Sequence, residues 1–506
     1  MLFVVAAISR IATRPEIPAA KPEPLISHSV QRPILSAHES DAERCSLQIP
    51  VNIGQAVLLG SLDQSAGMHS VQLTWLDDAG ELAVDDVPNT WPPLVTRTLP
   101  EPSVLLNDEQ RPVQFEPAIP ASTASQDLKP SAADRRHRRF VVPFFCGQLV
   151  HDRVVMATEI ARGQRVSVYL ADGDAGAYET DSATGSSLSG ELAVTSLVHS
   201  QAAALEVATD IIQRAEQRLL PFVEHRLCRI ADLDGDGRLS LVLAELSVEG
   251  PDDQRIEPPV TGCVRPDDFR VGGTDLNHDG SGCDIVYLTC RLPEGEERDA
   301  VLAHEFAHAA TFCLLNERPD PLSELPGWLN EAIAHVIEHQ VSPHSVNLKN
   351  RLQRFIQEPS GFPLVIPDGL PHLTVRRGPA RAAACLFLNA TLPRHSDDCL
   401  RRLVQSSEAG VGRLEYVTGR DFRELFRDWG LFMMASTGRF PEYCIDSDQD
   451  VLLRLAGTSC TWTTTATQKG VLHIQAPPDA RLQITIVNQT SSTTGRQVRR
   501  HAGSSH

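Results

Sequence analysis

Apolar and polar positions alternate along the chain in Ser70-Val-Gln-Leu-Thr-Trp75. A period of two is the pattern of a half-buried strand, so residues 41–85 are expected as a β-rich unit, with Asp77-Asp-Ala-Gly80 as a hairpin turn. The same period returns in Gln164-Arg-Val-Ser-Val-Tyr-Leu170, which predicts a small β-sandwich at 140–190. Between them, the prolines from Pro88 to Pro130 exclude regular helix and disfavour central strands, marking a Pro-rich linker at 86–139. The linker ends in Arg135-Arg-His-Arg-Arg139, read as a solvated basic patch in preference to a processing site. Residues 1–40 read as a leader or a disordered tail.

The period then lengthens. Ala202, Leu205, Ala208, Ile211, Ile212, Ala215 and Leu219 fall three and four apart, which predicts a helix over about 200–220. Strands are expected at Leu239–Leu246 and Cys283–Thr289, and mostly helix from about 320 to 436, including Asp421–Trp429. A β pattern resumes after about 450, as in Arg481-Leu-Gln-Ile-Thr-Ile-Val487. The fold class is therefore α+β. Residues 191–440 form a domain with a small sheet and a helical lobe, β-rich units precede it, and a C-terminal β region with a polar tail follows at 441–506.

Composition narrows the function classes. A formal net charge of −19 over 506 residues argues against a nucleic-acid partner, because nothing offsets repulsion from a polyanion. No run of about 18 apolar residues occurs, so no transmembrane segment is expected. The start, Met1-Leu-Phe-Val-Val-Ala-Ala-Ile8, is similar to the apolar core of a signal peptide without a basic segment before it, and reads either as the weak or truncated signal of a secreted protein or as an accidental apolar start. The 11 cysteines include no Cys-x-x-Cys pair, so a thiolate zinc site is disfavoured. Cys263 with Cys283, or Cys444 with Cys460, are candidate disulfides of an exported chain.

The decisive segment is Val301-Leu-Ala-His-Glu-Phe-Ala-His-Ala-Ala310. On a helix His304 and His308 lie one turn apart on one face, so both rings can reach one cation. Acidic residues before the segment, its alanines and the lack of Gly or Pro before Pro319 favour that helix. Catalytic zinc needs a third protein ligand and an open position. Pro326-Gly-Trp-Leu-Asn-Glu-Ala-Ile-Ala-His335 supplies the carboxylate, Glu331, on a second helix.

These two segments resemble the paired active-site helices of the gluzincin clan, which includes thermolysin, and within it the hyicolysin family of secreted bacterial metallopeptidases. The resemblance spans about residues 140–436, and includes the Asp232-Leu-Asp-Gly-Asp-Gly237 turn, the Asp284-Ile-Val-Tyr-Leu288 strand and the Phe422–Trp429 helix. It implies a gluzincin-type metallopeptidase domain, with zinc on His304, His308 and Glu331. It also implies that Glu305 is the general base, taking a proton from the attacking water and passing it to the leaving amine. Two departures follow. Thermolysin-like enzymes place an Asp four residues after the glutamate ligand; this chain has His335, so a histidine ligand must be oriented from elsewhere, for example by Glu338. No Tyr occurs in Arg381-Ala-Ala-Ala-Cys-Leu-Phe-Leu388, where relatives carry one, leaving His372, Tyr416 and His339 as candidates for stabilising the oxyanion.

Asp232, Asp234 and Asp236 with Gly237 repeat the first half of an EF-hand loop, but its twelfth position is Leu243. Asp275-Leu-Asn-His-Asp-Gly280 shows the same pattern and the same deficiency. Each reads as a calcium loop completed from elsewhere or as an Asp-Gly turn between strands. The primary expectation is a monomeric, secreted zinc endopeptidase acting on protein or peptide substrates. The rival is a surface or matrix binding protein whose gluzincin domain keeps zinc without turnover.

Overall fold

The computed structural model describes residues 27–30, 45–51, 55–65, 67–77, 137–146, 149–172, 190–247, 260–269, 284–318, 325–366, 378–392, 398–437, 443–445, 450–465, 470–477 and 480–488. The apolar start, nearly all of the Pro-rich linker, the Asp275–Gly280 loop, Cys283 and His372 lie outside these residues. The described chain is mixed α+β, as expected.

In chain order the strands begin with β1 (Ser27–Val30), β2 (Cys45–Val51), β3 (Gln55–Ser61) and β4 (Met68–Asp77). Then come β5 (His137–Cys146), β6 (Leu149–Arg162), β7 (Val166–Ala171), β8 (Leu239–Ala244), β9 (Gly262–Cys263) and β10 (Ile285–Thr289). The last five are β11 (Tyr443–Ile445), β12 (Asp450–Ala456), β13 (Cys460–Thr465), β14 (Gly470–Ala476) and β15 (Leu482–Asn488). The helices are α1 (Gly190–Arg214), α2 (Leu220–Arg226), α3 (Gly295–Asn316), α4 (Gly327–Val341) and α5 (Val346–Gln357). They continue as α6 (Gly378–Thr391), α7 (Cys399–Gln405), α8 (Gly412–Thr418) and α9 (Phe422–Thr437).

The central sheet has the order β5-β6-β7-β8-β10-β9. β7, β8 and β10 run parallel, and all six residues of β7 and of β8 are buried, as befits strands covered on both faces. The stretch at 140–190 is therefore not a separate small sandwich. Its strands are the antiparallel half of this sheet, because β7 pairs directly with β8 in the register Val166↔Leu239. Alternation shows which face of a strand is buried but not which strand lies beside it.

The two outer β regions are likewise one unit. β3 lies between β13 and β15, and β14 lies between β4 and β2, so strands from both ends of the chain interleave in two sheets. Ile49, Val57, Leu59, Leu73, Trp75, Leu472 and Ile486 share the core between those sheets. The Cys444–Cys460 bridge does not form. Cys460 is a buried free thiol whose side chain belongs to the helical core, on the far side of β13 from that inter-sheet packing.

Residues 200–220 are helical as expected, with Ala208, Ile211, Ile212, Ala215 and Leu219 buried, although Ala215–Leu219 widens into one π turn. The helical lobe centres on Trp429 of α9, which is 1% exposed and stacks on Phe355 at 6.1 Å. It meets Phe387 of α6 edge-on at 5.8 Å and Phe426 at 5.6 Å. The β unit reaches the lobe through two close approaches. A Cβ on Gly60 would come within 2.6 Å of the Phe426 ring, and one on Gly430 within 2.9 Å of Leu58. Among the described residues no helix is long and apolar enough to cross a membrane.

Trp429→Ala is expected to lower stability by about 3–5 kcal/mol through the cavity it leaves. Because the indole Nε1 has no hydrogen-bond partner, Trp429→Phe should cost clearly less. Urea unfolding of both variants checks the order.

Candidate metal centre

The helix α3 lies against the central sheet and carries His304, Glu305 and His308; α4 packs on it and carries Asn330, Glu331, His335 and Glu338. Glu296 and Glu297 occupy the first turn of α3, where negative charge suits the helix dipole. The Glu297 Oε1 also accepts from the Val346 backbone N–H at 2.6 Å, and Ser342 Oγ donates to the Glu296 carbonyl at 3.1 Å. One turn on, buried Asp299 is paired with Arg214 at 3.0 Å and Arg218 at 3.1 Å. These contacts fix α3 along its axis relative to α1, α4 and α5. The rotation about that axis comes from the buried stripe of Leu302, Ala303, Phe306, Ala307 and Ala310.

Each imidazole is held from its outer side. His304 Nδ1 lies 3.1 Å from Glu338 Oε2, and His308 Nδ1 lies 3.0 Å from Asn330 Oδ1. Both acceptors demand a hydrogen on Nδ1, which leaves a lone pair on each Nε2 when the rings are neutral. Those two Nε2 atoms face one another at 3.1 Å. Facing lone pairs repel unless positive charge lies between them. Two nitrogens on one tetrahedral zinc, at bonds of about 2.0–2.1 Å, stand roughly 3.3 Å apart, so the spacing fits a shared cation.

The carboxylates complete the picture. Glu331 Oε2 lies 3.6 Å from His304 Nε2 and, like Glu305 Oε2, is buried without a hydrogen-bond partner. Orphaned buried oxygens of this kind call for an unseen donor or cation. The other Glu331 oxygen is held by Arg381 of α6 at 2.9 Å. Burial would raise Glu331, but the Arg381 guanidinium and the His304 ring outweigh it and hold this carboxyl well below its ordinary value. Burial pushes Glu305 up to about 7, with His304 opposing and Glu331 reinforcing. For His304 burial opposes the charge, yet Glu331 and Glu338 carry the ring up to about 9. Burial, with the charge of His304, pushes His308 down to about 4. Without a metal the pair thus holds one proton on His304, where a cation would replace it.

The donors that the structure gathers differ from the expected His304, His308 and Glu331: His335, which sequence reasoning treated only as a departure from pattern, takes the place of His308. Donor atoms of His304, Glu331 and His335 all lie within 4.8 Å of one another, and this cluster could hold a metal ion. Both His335 nitrogens are engaged, however. Nδ1 lies 2.7 Å from Glu338 Oε2 and Nε2 lies 3.1 Å from Arg351 Nη1, so ligation through His335 would break an existing bond. Glu338 is the hub, touching His304, His335 and Ser345 Oγ, the last at 3.1 Å. On the other side, a Cβ at Gly262 of β9 would come within 2.7 Å of Glu305 Cγ, so the last strand of the sheet runs directly beside Glu305.

Of the oxyanion candidates, Tyr416 is 60% exposed on α8, which packs on α7 and α9. His339 is largely buried on α4, with Glu338 and His344 as its charged neighbours. The acidic loop is folded on itself: Asp232 accepts from the Gly235 and Gly237 backbone N–H groups at 2.9 and 3.0 Å. Both glycines have positive φ, 75° and 82°, as this tight turn requires. The carboxylates that converge are Asp232, Asp234 and Asp284 rather than Asp236, whose Oδ1 accepts from Arg238 N–H at 2.8 Å. Asp234 also pairs with Arg138 at 2.8 Å. No protein-family model matches the chain, and no curated protein sequence matches it.

Glu338→Gln keeps the shape of the hub but removes its charge, and should weaken binding of a metal ion there about 10–100-fold. Competition against a chromophoric chelator measures it.

Proposed function

We propose that the chain is a zinc-dependent endopeptidase in which His304, His308 and Glu331 hold the metal and Glu305 is the general base. The observation that carries this reading is a pair of outward-anchored imidazoles, Nε2 to Nε2 at 3.1 Å, with the orphaned Oε2 of Glu331 3.6 Å from the His304 Nε2. Zinc held there supplies an activated water as nucleophile and polarises the scissile carbonyl. Two imidazoles and one carboxylate leave a fourth position open for that chemistry.

The chain's own residues supply the rest. Glu305, one position after His304 on the same helix, has an unpartnered buried oxygen. Such a group takes a proton from the attacking water and returns it to the leaving amine near neutral pH. β9, antiparallel to β10 and last in the sheet, brings Gly262 against Glu305.

The rival reading, a binding protein that keeps zinc without turnover, draws on the exposure of Tyr416 away from the zinc helices. A quenched-peptide library assay with and without chelator separates the two. The zinc-loaded protein is expected to cleave, chelation to stop it, and Glu305→Gln to lower turnover about 10²–10⁴-fold with zinc content unchanged. His304→Ala is expected to lose the metal itself. Zinc-loaded protein that cleaves no peptide would leave only the binding reading standing.

A further inference from the structure

Each inward-facing donor has its own outer partner: Glu338 behind His304, Asn330 behind His308 and Arg381 behind Glu331. The first two settle which ring nitrogen carries hydrogen. The third settles something different. A carboxylate can bind a cation through one oxygen or both, and here Arg381 Nη2 holds Oε1 at 2.9 Å while Oε2 alone is left facing His304 Nε2. Resting on the zinc reading above, we propose that Arg381 is a positioning residue that commits Glu331 to ligation through one oxygen. The site thereby selects a small four-coordinate cation over larger, oxygen-seeking ones such as calcium or manganese.

The placement of Arg381 is rigid. It stands in the first turn of α6, a helix anchored from the far side by Phe387 against Trp429. Gly378, at the start of α6, lets it approach α5 so closely that a Cβ there would come within 2.9 Å of Arg351 Cγ. Arg351 in turn contacts His335 Nε2, so α5 and α6 both lean on the α4 side of the site. Arg381 is only 17% exposed, and its charge reaches Glu305 and His308 as well as Glu331. A bare charge-balancing role predicts the opposite outcome from a positioning role. Removing a cation from the site would tighten binding of any dication by electrostatics alone, whereas freeing Glu331 Oε1 would loosen zinc and change the coordination number.

The test uses the full chain carrying Arg381→Met or Arg381→Lys, with zinc affinity from chelator competition and the visible spectrum of the cobalt-substituted protein. Arg381→Met is expected to weaken zinc about 10–100-fold. Its cobalt absorption should weaken as Glu331 turns to two-oxygen ligation, and its preference for zinc over manganese and calcium should narrow. Lysine, a point charge without the planar fork, should recover only part of each effect. In a Glu331→Gln background Arg381→Met should cost nothing further, since it acts through Glu331. Zinc affinity equal to or tighter than wild type, with an unchanged cobalt spectrum, overturns the proposal and leaves the zinc reading intact. Wild-type protein that binds neither zinc nor cobalt overturns both. If Arg381→Met does not fold, Arg381→Lys decides, and identity with wild type in both measurements overturns the proposal.

Discussion

Two imidazole nitrogens 3.1 Å apart, each ring with its hydrogen drawn to the far side, cannot face one another stably without positive charge between them. Much of the helical lobe serves to keep that arrangement in place. The rings sit on consecutive turns of α3, so their mutual spacing comes from helix geometry. Their tautomers come from α4, through Glu338 and Asn330. Neither helix alone creates a cation site. A slide of one past the other by a single residue, about 1.5 Å, would detach both outer acceptors at once.

Charge is the second constraint. Glu305, Glu331 and Glu338 are buried together, and isolated carboxylates so placed would take up protons instead of staying ionised. The fold answers differently for each. Arg381 and His304 keep Glu331 acidic; His335 and His304 do the same for Glu338. Glu305 receives least compensation and is the one pushed toward neutrality. Two carboxylates with opposite shifts within one site are set apart by environment alone, which is the division that the proposed ligand and base require.

The period of His304 and His308, and the Asn330-Glu331 pair on the following helix, were legible because short-range spacing on a helix determines which side chains share a face. Glu338 was within reach of the same reasoning, being one turn beyond His335. Arg381 was not. Its segment reads as an alanine-rich core helix, and nothing in its local pattern links it to Glu331, fifty positions earlier. Asp284 joins Asp232 and Asp234 through the parallel pairing of β8 with β10, again a long-range event. The same blindness applies to the sheets. Residues 140–190 showed their buried face but not that β7 would pair with β8, and the N- and C-terminal strands gave no sign of interleaving.

That interleaving bears on the site although it lies far from it in sequence. β3 is held between β13 and β15, and presents Leu58 and Gly60 to α9. There Phe426 occupies the space that any side chain at position 60 would fill, and Trp429, one turn on, packs against Phe387 of α6. The helix so anchored is the one that carries Arg381. A continuous path of close packing therefore runs from the joined chain ends to the guanidinium behind Glu331. Packed interiors yield little to local strain, so loosening the β unit should be felt first as freedom of Glu331, before either histidine loses its partner. His304 and His308 take their outer partners from α4, whereas Glu331 takes its own from α6 and so draws on the packing behind that helix.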